Sequence, residues 1–180
     1  MSAARPLPRL TLVLGGAGSG KSRLAEGLVA ATGLQRHYIA TAEARDNEMR
    51  ARIVRHQTER GADWQTWNEP LDVTATLAVI PEGAVVLLDC ATLWLSNHML
   101  AGSDIAKNSA DLITALGACA APVVVVSNEV GWGIVPDNAL ARAFRDHQGR
   151  LNQQIAATAD LVIVVMAGLP LVLKGQMSSD

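Results

Sequence analysis

Residues 15–22 read Gly15-Gly16-Ala17-Gly18-Ser19-Gly20-Lys21-Ser22, with Leu10-Thr11-Leu12-Val13-Leu14 before them and Arg23-Leu24-Ala25-Glu26-Gly27-Leu28-Val29 after. The apolar run in front suits a buried strand. Leu24 and Leu28, four apart, give Ser22–Thr32 a helical period. Strand, GxxxxGK[ST] loop and helix in that order make a phosphate-binding loop. The glycines let the backbone curl and aim its N–H groups at phosphate oxygens, and the helix N-terminus adds partial positive charge there. Lys21 is placed to reach the β- and γ-phosphates, and the Ser22 hydroxyl to ligate Mg²⁺. The competing reading is a glycine-rich turn that only caps a helix. Lysine is scarce in this chain (Lys21, Lys107 and Lys174), so its presence at the motif position argues against coincidence. The loop predicts a bound nucleoside triphosphate.

Composition narrows the classes. A chain of 180 residues, 49% apolar and 18% charged, suits one compact α/β domain with a proper core. The expectation is a single P-loop nucleotide-binding domain over 1–180, with 1–8 and 175–180 as flexible ends. A net charge of -2 offers no basic surface for nucleic acid or an anionic membrane. Cys90 and Cys119 have neither a disulfide framework nor metal-ligand spacing, and read as small buried apolar residues of a reducing compartment. Met1–Arg9 has no apolar core of signal-peptide length, and no apolar stretch reaches transmembrane length. A soluble cytoplasmic protein is expected.

Apolar runs recur at Leu10–Leu14, His37–Ala40, Ala84–Leu88, Val123–Ser127 and Leu161–Met166. Helical patterns separate them: Ser22–Thr32, Asn47–Arg60, Leu71–Val79, Thr92–Leu100, Ser109–Cys119 and Asn138–Thr158. This alternation predicts a mostly parallel sheet with helices on both faces. Ala167-Gly168-Leu169-Pro170 followed by Leu171–Lys174 predicts a closing hairpin, with one antiparallel strand at the sheet edge. Ligands on such sheets gather beyond the carboxyl ends of the strands, so Gly15–Ser22, Thr41–Glu43, Asp89 and Asn128–Glu129 matter most.

Several residues there invite chemical readings. Asp89 ends an apolar run and is either a second carboxylate for Mg²⁺ or the N-cap of the next helix. His56 follows Met49 and Ile53 on the apolar stripe of a polar helix, with Arg52 four before it and Arg60 four after. Flanking arginines disfavour the imidazolium and leave the nucleophilic neutral ring, but a packed structural histidine fits the spacing as well. The loop Asn128–Pro136 holds Gly131, Trp132 and Gly133, and serves either to approach a flat ligand or to connect strand to helix with Asp137 as cap. Arg142, Arg145 and Arg150, with Asp146 between them, read as a solvated helix face or as a phosphate contact. Trp64 and Trp67 read as core or interface; His37, His98 and His147 stand alone.

Together these strings resemble one family. The loop Gly15–Ser22 is followed by Tyr38-Ile39-Ala40-Thr41-Ala42, then Met49-x-Ala51-Arg52-Ile53-x-x-His56-x-x-x-Arg60, Trp64 and Leu87-Leu88-Asp89-Cys90. Ser127-Asn128-Glu129-Val130-Gly131-Trp132-Gly133-Ile134-Val135-Pro136 follows, then Phe144-Arg145-Asp146-x-x-Gly149-Arg150-x-Asn152-Gln153 and Ala167-Gly168-Leu169-Pro170. From about Arg9 to Lys174 the chain resembles the bifunctional adenosylcobinamide kinase / adenosylcobinamide-phosphate guanylyltransferases of cobalamin biosynthesis. The resemblance implies a RecA-like P-loop fold, a homotrimer and two reactions. ATP or GTP phosphorylates the aminopropanol hydroxyl of adenosylcobinamide. GTP then guanylylates a histidine, here His56, and the GMP passes to adenosylcobinamide phosphate, giving adenosylcobinamide-GDP. Implied nucleotide contacts are Gly15, Gly16, Ala17, Gly18, Ser19, Gly20, Lys21, Ser22, Thr41, Ala42, Glu43, Gln57, Thr58, Glu59, Arg60, Asn68 (with Glu69 beside it) and Asp89. Lys21 and His56 are the implied catalytic residues, and Ser22 and Asp89 the implied Mg²⁺ ligands. Set against this are a kinase with one activity and a nucleotide-dependent switch without transfer chemistry.

Overall fold

The computed structural model describes residues 6–44, 47, 50, 51, 54, 58 and 63–177. Their strands are β1 (Leu10–Gly15), β2 (Gln35–Ala40), β3 (Trp64–Asn68), β4 (Ala84–Asp89), β5 (Val123–Asn128), β6 (Leu161–Met166) and β7 (Leu169–Lys174). The helices are α1 (Lys21–Ala30), α2 (Val73–Val79), α3 (Ala91–Leu100), α4 (Ile105–Ala118) and α5 (Ala139–Thr158). Asn47, Arg50, Ala51, Val54 and Thr58, between β2 and β3, are also helical.

All seven strands form one sheet in the order β3-β2-β4-β5-β1-β6-β7. Every pairing is parallel except β6 with β7, the expected antiparallel edge hairpin. The chain turns between those strands through Ala167 and Gly168, both at positive φ. Pro170, which has no N–H for a ladder, is tolerated because β7 is an edge strand.

The central strands read as unbroken apolar runs because both faces are covered. Leu10, Leu12, Leu14, Val86, Leu88, Val123, Val125 and Val162 face one core with Leu77 of α2, Trp94 of α3, Leu112 of α4 and Ile155 of α5. The alternate residues Val13, Val85, Leu87, Val124, Val126, Leu161 and Ile163 face a second core with Ala25 and Val29 of α1. Leu7 and Met177, from the two ends expected to be flexible, pack against this second core.

Three details differ from the sequence reading. The strand β3 did not emerge as an apolar run because it is an edge strand whose residues are half-buried or exposed. The helix α4 starts four residues before Ser109, where the Asp104 side chain caps Lys107 N–H. Asn138, not Asp137, caps α5, accepting from Ala141 N–H at 2.7 Å. Both tryptophans after the polar helix do pack: Trp67 joins the first core and Trp64 the second.

His37 is buried in β2 and accepts a hydrogen bond at Nδ1 from Trp67 Nε1 at 3.0 Å. Burial holds its pKa below the ordinary 6.5, so the folded protein keeps the ring neutral while the unfolded chain takes up a proton. Stability therefore falls as pH drops below about 6.5, and levels off only below the lowered folded pKa. Urea denaturation followed between pH 8 and 5 should show this loss, and His37→Gln should flatten its upper part.

Candidate active site at the carboxyl edge of the sheet

Six strands run parallel, so their carboxyl ends lie along one edge of the sheet. Register fixes the neighbours there: Gly15 lies opposite Asn128 and Val165, Asp89 opposite Ala40 and Val126, and Ala40 opposite Asn68. The predicted residues Gly15, Thr41, Asn68 and Asp89 are thus brought to one edge by topology.

The phosphate loop leaves β1 at Gly15. A Cβ there would collide with the Val165 carbonyl and the Ser19 side chain, so only glycine lets the loop lie this close to β6. Gly20 N-caps α1 at φ 93°, a conformation that costs other residues strain. The turn is closed by Ser19 N–H to Gly16 C=O at 3.3 Å, and tied to the β6–β7 turn by Gly168 N–H to Ser19 C=O at 2.9 Å. Gly16, Ala17 and Gly18 are exposed, as a loop that receives a ligand must be. Lys21 is buried, and its Nζ donates to Gly16 C=O at 3.0 Å. Ser22 follows it, half-buried, in the first turn of α1. The helix N-terminus and this ammonium meet in one place, which suits a polyphosphate.

Asp89 sits at the end of β4, half-buried, with its Oδ2 accepting from the Tyr38 hydroxyl at 3.1 Å. It does not cap the next helix. Cys90 does, through Sγ and Leu93 N–H at 3.5 Å, because α3 starts one residue later than an Asp89 cap requires. The Asp89 carboxylate is thereby left to the site. The Cys90 thiol is pushed up to about 11, first by burial and then by the Asp89 charge, while the Lys21 charge pulls the other way. The thiol therefore stays protonated and inert.

Thr41 is fully buried and locks the ends of β2 and β4 together. Its Oγ1 accepts from Cys90 N–H and donates to Cys90 C=O, both at 2.8 Å. Asn97 of α3 holds the same corner, donating to Thr41 C=O at 2.8 Å and Pro70 C=O at 3.1 Å. Ala42 is half-buried, while Glu43 and Asn68 are exposed at the edge. Glu69 N–H donates to Ala40 C=O at 2.9 Å. Thr58 is exposed, its hydroxyl bonded to Val54 C=O at 2.9 Å. His56, Gln57, Glu59 and Arg60 lie outside the described residues, as do Met49, Arg52 and Ile53.

Sequence reasoning assigned no role to Tyr38, Asn97, Thr92, Gln148 or Asn152, whose side chains hydrogen-bond at the strand ends; Tyr38 and Asn152 entered only as members of the strings that carry the resemblance. Arg142 turns back on its own loop, donating to Pro136 C=O at 2.9 Å and Asp137 C=O at 2.8 Å. Among the described residues no three His, Cys, Asp or Glu side chains converge on a metal position. No described helix is long and apolar enough to cross a membrane.

Residues 11–173 match the family model for cobinamide kinase / cobinamide phosphate guanyltransferase. The bifunctional adenosylcobalamin biosynthesis protein CobP of Pseudomonas aeruginosa is 46% identical over 168 residues, covering 92% of this chain and 97% of that relative. The bifunctional adenosylcobalamin biosynthesis protein CobU of Salmonella typhimurium is 43% identical over 183 residues, covering 92% and 99%. Among solved structures, the flagellar accessory protein FlaH of Methanocaldococcus jannaschii aligns with a TM-score of 0.53 at 12% identity, covering 94% of this chain and 80% of its own. A prototypical ATPase from the type III secretion system of pathogenic bacteria aligns at 0.54 and 11% identity, covering 91% and 56%. These two likenesses are of fold alone: a mostly parallel α/β sheet, here with a phosphate-binding loop after β1.

Lys21→Ala should lower nucleotide-dependent turnover by about 10²–10³-fold, the usual effect of deleting one charge-stabilising donor. Asp89→Asn should also cut turnover and raise the magnesium needed for half-maximal rate. Because Cys90 carries the cap, the thermal midpoint of Asp89→Asn should stay within a few degrees. A magnesium titration of rate beside a thermal melt checks both.

Proposed function

The chain belongs to the cobinamide kinase / cobinamide phosphate guanyltransferase family, and from that premise we propose how its residues divide the two transfers. In the first, the aminopropanol hydroxyl of adenosylcobinamide attacks the γ-phosphorus of ATP or GTP. The bond to the β–γ bridging oxygen breaks, the hydroxyl proton is lost, and the nucleoside diphosphate leaves. The loop Gly15–Ser22 holds the phosphates, and Lys21 offsets the charge that grows on them. The observation that carries this reading is that strand register brings the glycine-dependent loop with its buried Lys21 and Asp89 to one sheet edge.

In the second transfer a nitrogen of His56 bonds to the α-phosphorus of GTP and pyrophosphate leaves. The phosphate of adenosylcobinamide phosphate then takes the GMP, freeing the histidine and giving adenosylcobinamide-GDP. A phosphorus–nitrogen bond is labile enough to donate onward, as a covalent intermediate must. Supporting this, the helical Asn47, Arg50, Ala51, Val54 and Thr58 belong to the connection that leaves the carboxyl end of β2, whose last residue Ala40 pairs with Asp89. Ala42, Glu43, Gln57, Thr58, Glu59, Arg60 and Asn68 complete the nucleotide contacts. Thr41 acts from behind, through the strand ends it locks together.

Magnesium fits the oxygen donors present. One hydroxyl, Ser22, and one carboxylate, Asp89, suit a hard cation that keeps most of its shell for phosphate and water. When bound, Mg²⁺ supplies neutralisation of phosphate charge. Ser22 and Asp89 would hold it, and Tyr38 fixes the carboxylate through its hydroxyl. A homotrimer accords with β7, an edge strand that leaves Leu169, Leu171 and Leu173 exposed. A cytoplasmic location accords with Cys90 and Cys119 remaining free thiols.

Incubation with α-labelled GTP and Mg²⁺ should give an acid-labile, base-stable protein adduct that His56→Ala lacks, while ATP-dependent phosphorylation of cobinamide persists in that variant. An adduct on His37, His98 or His147 would overturn the assignment. Leu171→Glu should shift the mass measured by light scattering from three chains towards one.

A further inference from the structure

A cluster of uncharged polar side chains lies buried beneath the carboxyl end of β5, where two aliphatic faces would otherwise meet. Gln148 and Asn152 are one turn apart on α5, buried and facing the sheet. Gln148 Nε2 donates to Ser127 Oγ and to Asn152 Oδ1, both at 2.9 Å. The buried Ser127 hydroxyl donates to Asn152 Oδ1 at 2.6 Å and lies 3.4 Å from Thr92 Oγ1 of α3. The cluster grips one residue through its backbone. Asn152 Nδ2 donates to Asn128 C=O at 3.1 Å, and Asn128 N–H donates to Thr92 Oγ1 at 2.8 Å. Gln148 Oε1 is buried without a partner among the described residues. Burying this many polar groups is costly, and an apolar core would serve folding alone as well.

Asn128 is where this rigidity leads. The strand β5 lies between β1, which carries the phosphate loop, and β4, which carries Asp89. Asn128 is level with Gly15 and two residues beyond the position opposite Asp89. The next residue is tied to the loop, with Glu129 N–H donating to Gly15 C=O at 3.1 Å. Asn128 Oδ1 is buried and has no hydrogen-bond partner among the described residues. Ser19 Oγ, in the phosphate loop, is in the same condition. A buried amide oxygen left bare costs stability, and beside a phosphate loop a substrate group can complete it.

We propose that Asn128 is a substrate-contacting residue of the phosphoryl-transfer site, held there by Gln148 and Asn152 as positioning residues. Its carboxamide carries an acceptor and two donors on one planar group. It takes the acceptor hydroxyl at its oxygen and a γ-phosphoryl oxygen at its nitrogen, aligning attack without adding charge beside the phosphates. Gln148 and Asn152 touch no substrate. They act by fixing the Asn128 backbone, and Thr92 does so from the other side. This inference rests on the kinase reading above.

The test is steady-state kinetics of the full chain with ATP, Mg²⁺ and cobinamide, with nucleotide affinity measured separately. Asn128→Ala keeps both backbone bonds and should lower kcat about 10²-fold, with KM for ATP and nucleotide affinity changed less than about threefold. Asn152→Ala should lower kcat in the same selective way. The double variant should be no slower than Asn128→Ala, because the two act through one contact. Should Asn152→Ala fail to fold, Asn152→Asp keeps the acceptor for Ser127 and Gln148 while deleting the donor to Asn128, and the same kcat-only loss is expected. Should Asn128→Ala fail to fold, Asn128→Ser takes its place with the same expectation. A kcat for the Asn128 variant within about threefold of wild type, or losses that multiply in the double variant, would overturn the inference. A wild-type chain with no cobinamide-dependent ADP release would instead overturn the kinase reading itself.

Discussion

The parallel pairing of β5 between β1 and β4 is the constraint on which the site depends. Parallel strands point their carboxyl ends the same way, and the helices between them must return over the faces. One sheet edge therefore collects Gly15, Asn128 and Asp89 in fixed register, although 113 positions separate the first two in sequence. A slip of one residue in β5 would turn Val124 and Val126 to the opposite core and swing Asn128 away from the phosphate loop. Core packing on both faces forbids that slip. The apolar patterning that stabilises the sheet thus also sets the geometry of the edge.

The edge itself is built from polar groups that packing cannot position. Thr41 staples β2 to β4, Asn97 holds the turns after β2 and β3, and the α5 carboxamides hold the end of β5. Trp94 adds to the same corner, its Nε1 donating to Leu71 C=O at 2.9 Å from a buried ring. Each bond adds only about 0.5–1.5 kcal/mol net, but leaving any partner bare costs about 1–3 kcal/mol. The asymmetry makes these contacts nearly all-or-none. They therefore define positions more than they add stability.

What could be read from the chain follows the same division. The strands β1, β4, β5 and β6 were legible because burial on both faces leaves continuous aliphatic runs. The phosphate loop was legible because glycine spacing and Lys21 answer to one chemistry. The strand β3 was not, since Trp64-Gln65-Thr66-Trp67-Asn68 is an edge strand with little burial to mark it. For Asp89 spacing left a metal carboxylate and a helix cap both open; the start of α3 at Ala91 puts the cap on Cys90, a residue whose type gave no such signal. Gln148 and Asn152 looked like part of a solvated helix beside Arg145 and Arg150. Their burial depends on which face of α5 meets the sheet, and spacing alone does not set that when one face is polar on both sides. For His56 spacing left two readings open, and resemblance, not periodicity, chose between them.

One phosphate site serving two transfers imposes a further requirement on the proposed reading. Phosphorylation needs an attacking group at the γ-phosphorus, and guanylylation needs one at the α-phosphorus. Both atoms belong to one triphosphate held at its phosphates by one loop, so the loop need not change between steps. The strand ends cannot change either, because Thr41, Asn97 and the α5 cluster pin them through backbone atoms. The difference between the two reactions must then come from what approaches the fixed triphosphate. In one case that is the corrinoid hydroxyl, and in the other the segment between β2 and β3 that carries His56. In that connection Asn47, Arg50, Ala51, Val54 and Thr58 are all exposed. Rigid strand ends with an exchangeable nucleophile are sufficient for both chemistries, with no second nucleotide pocket needed.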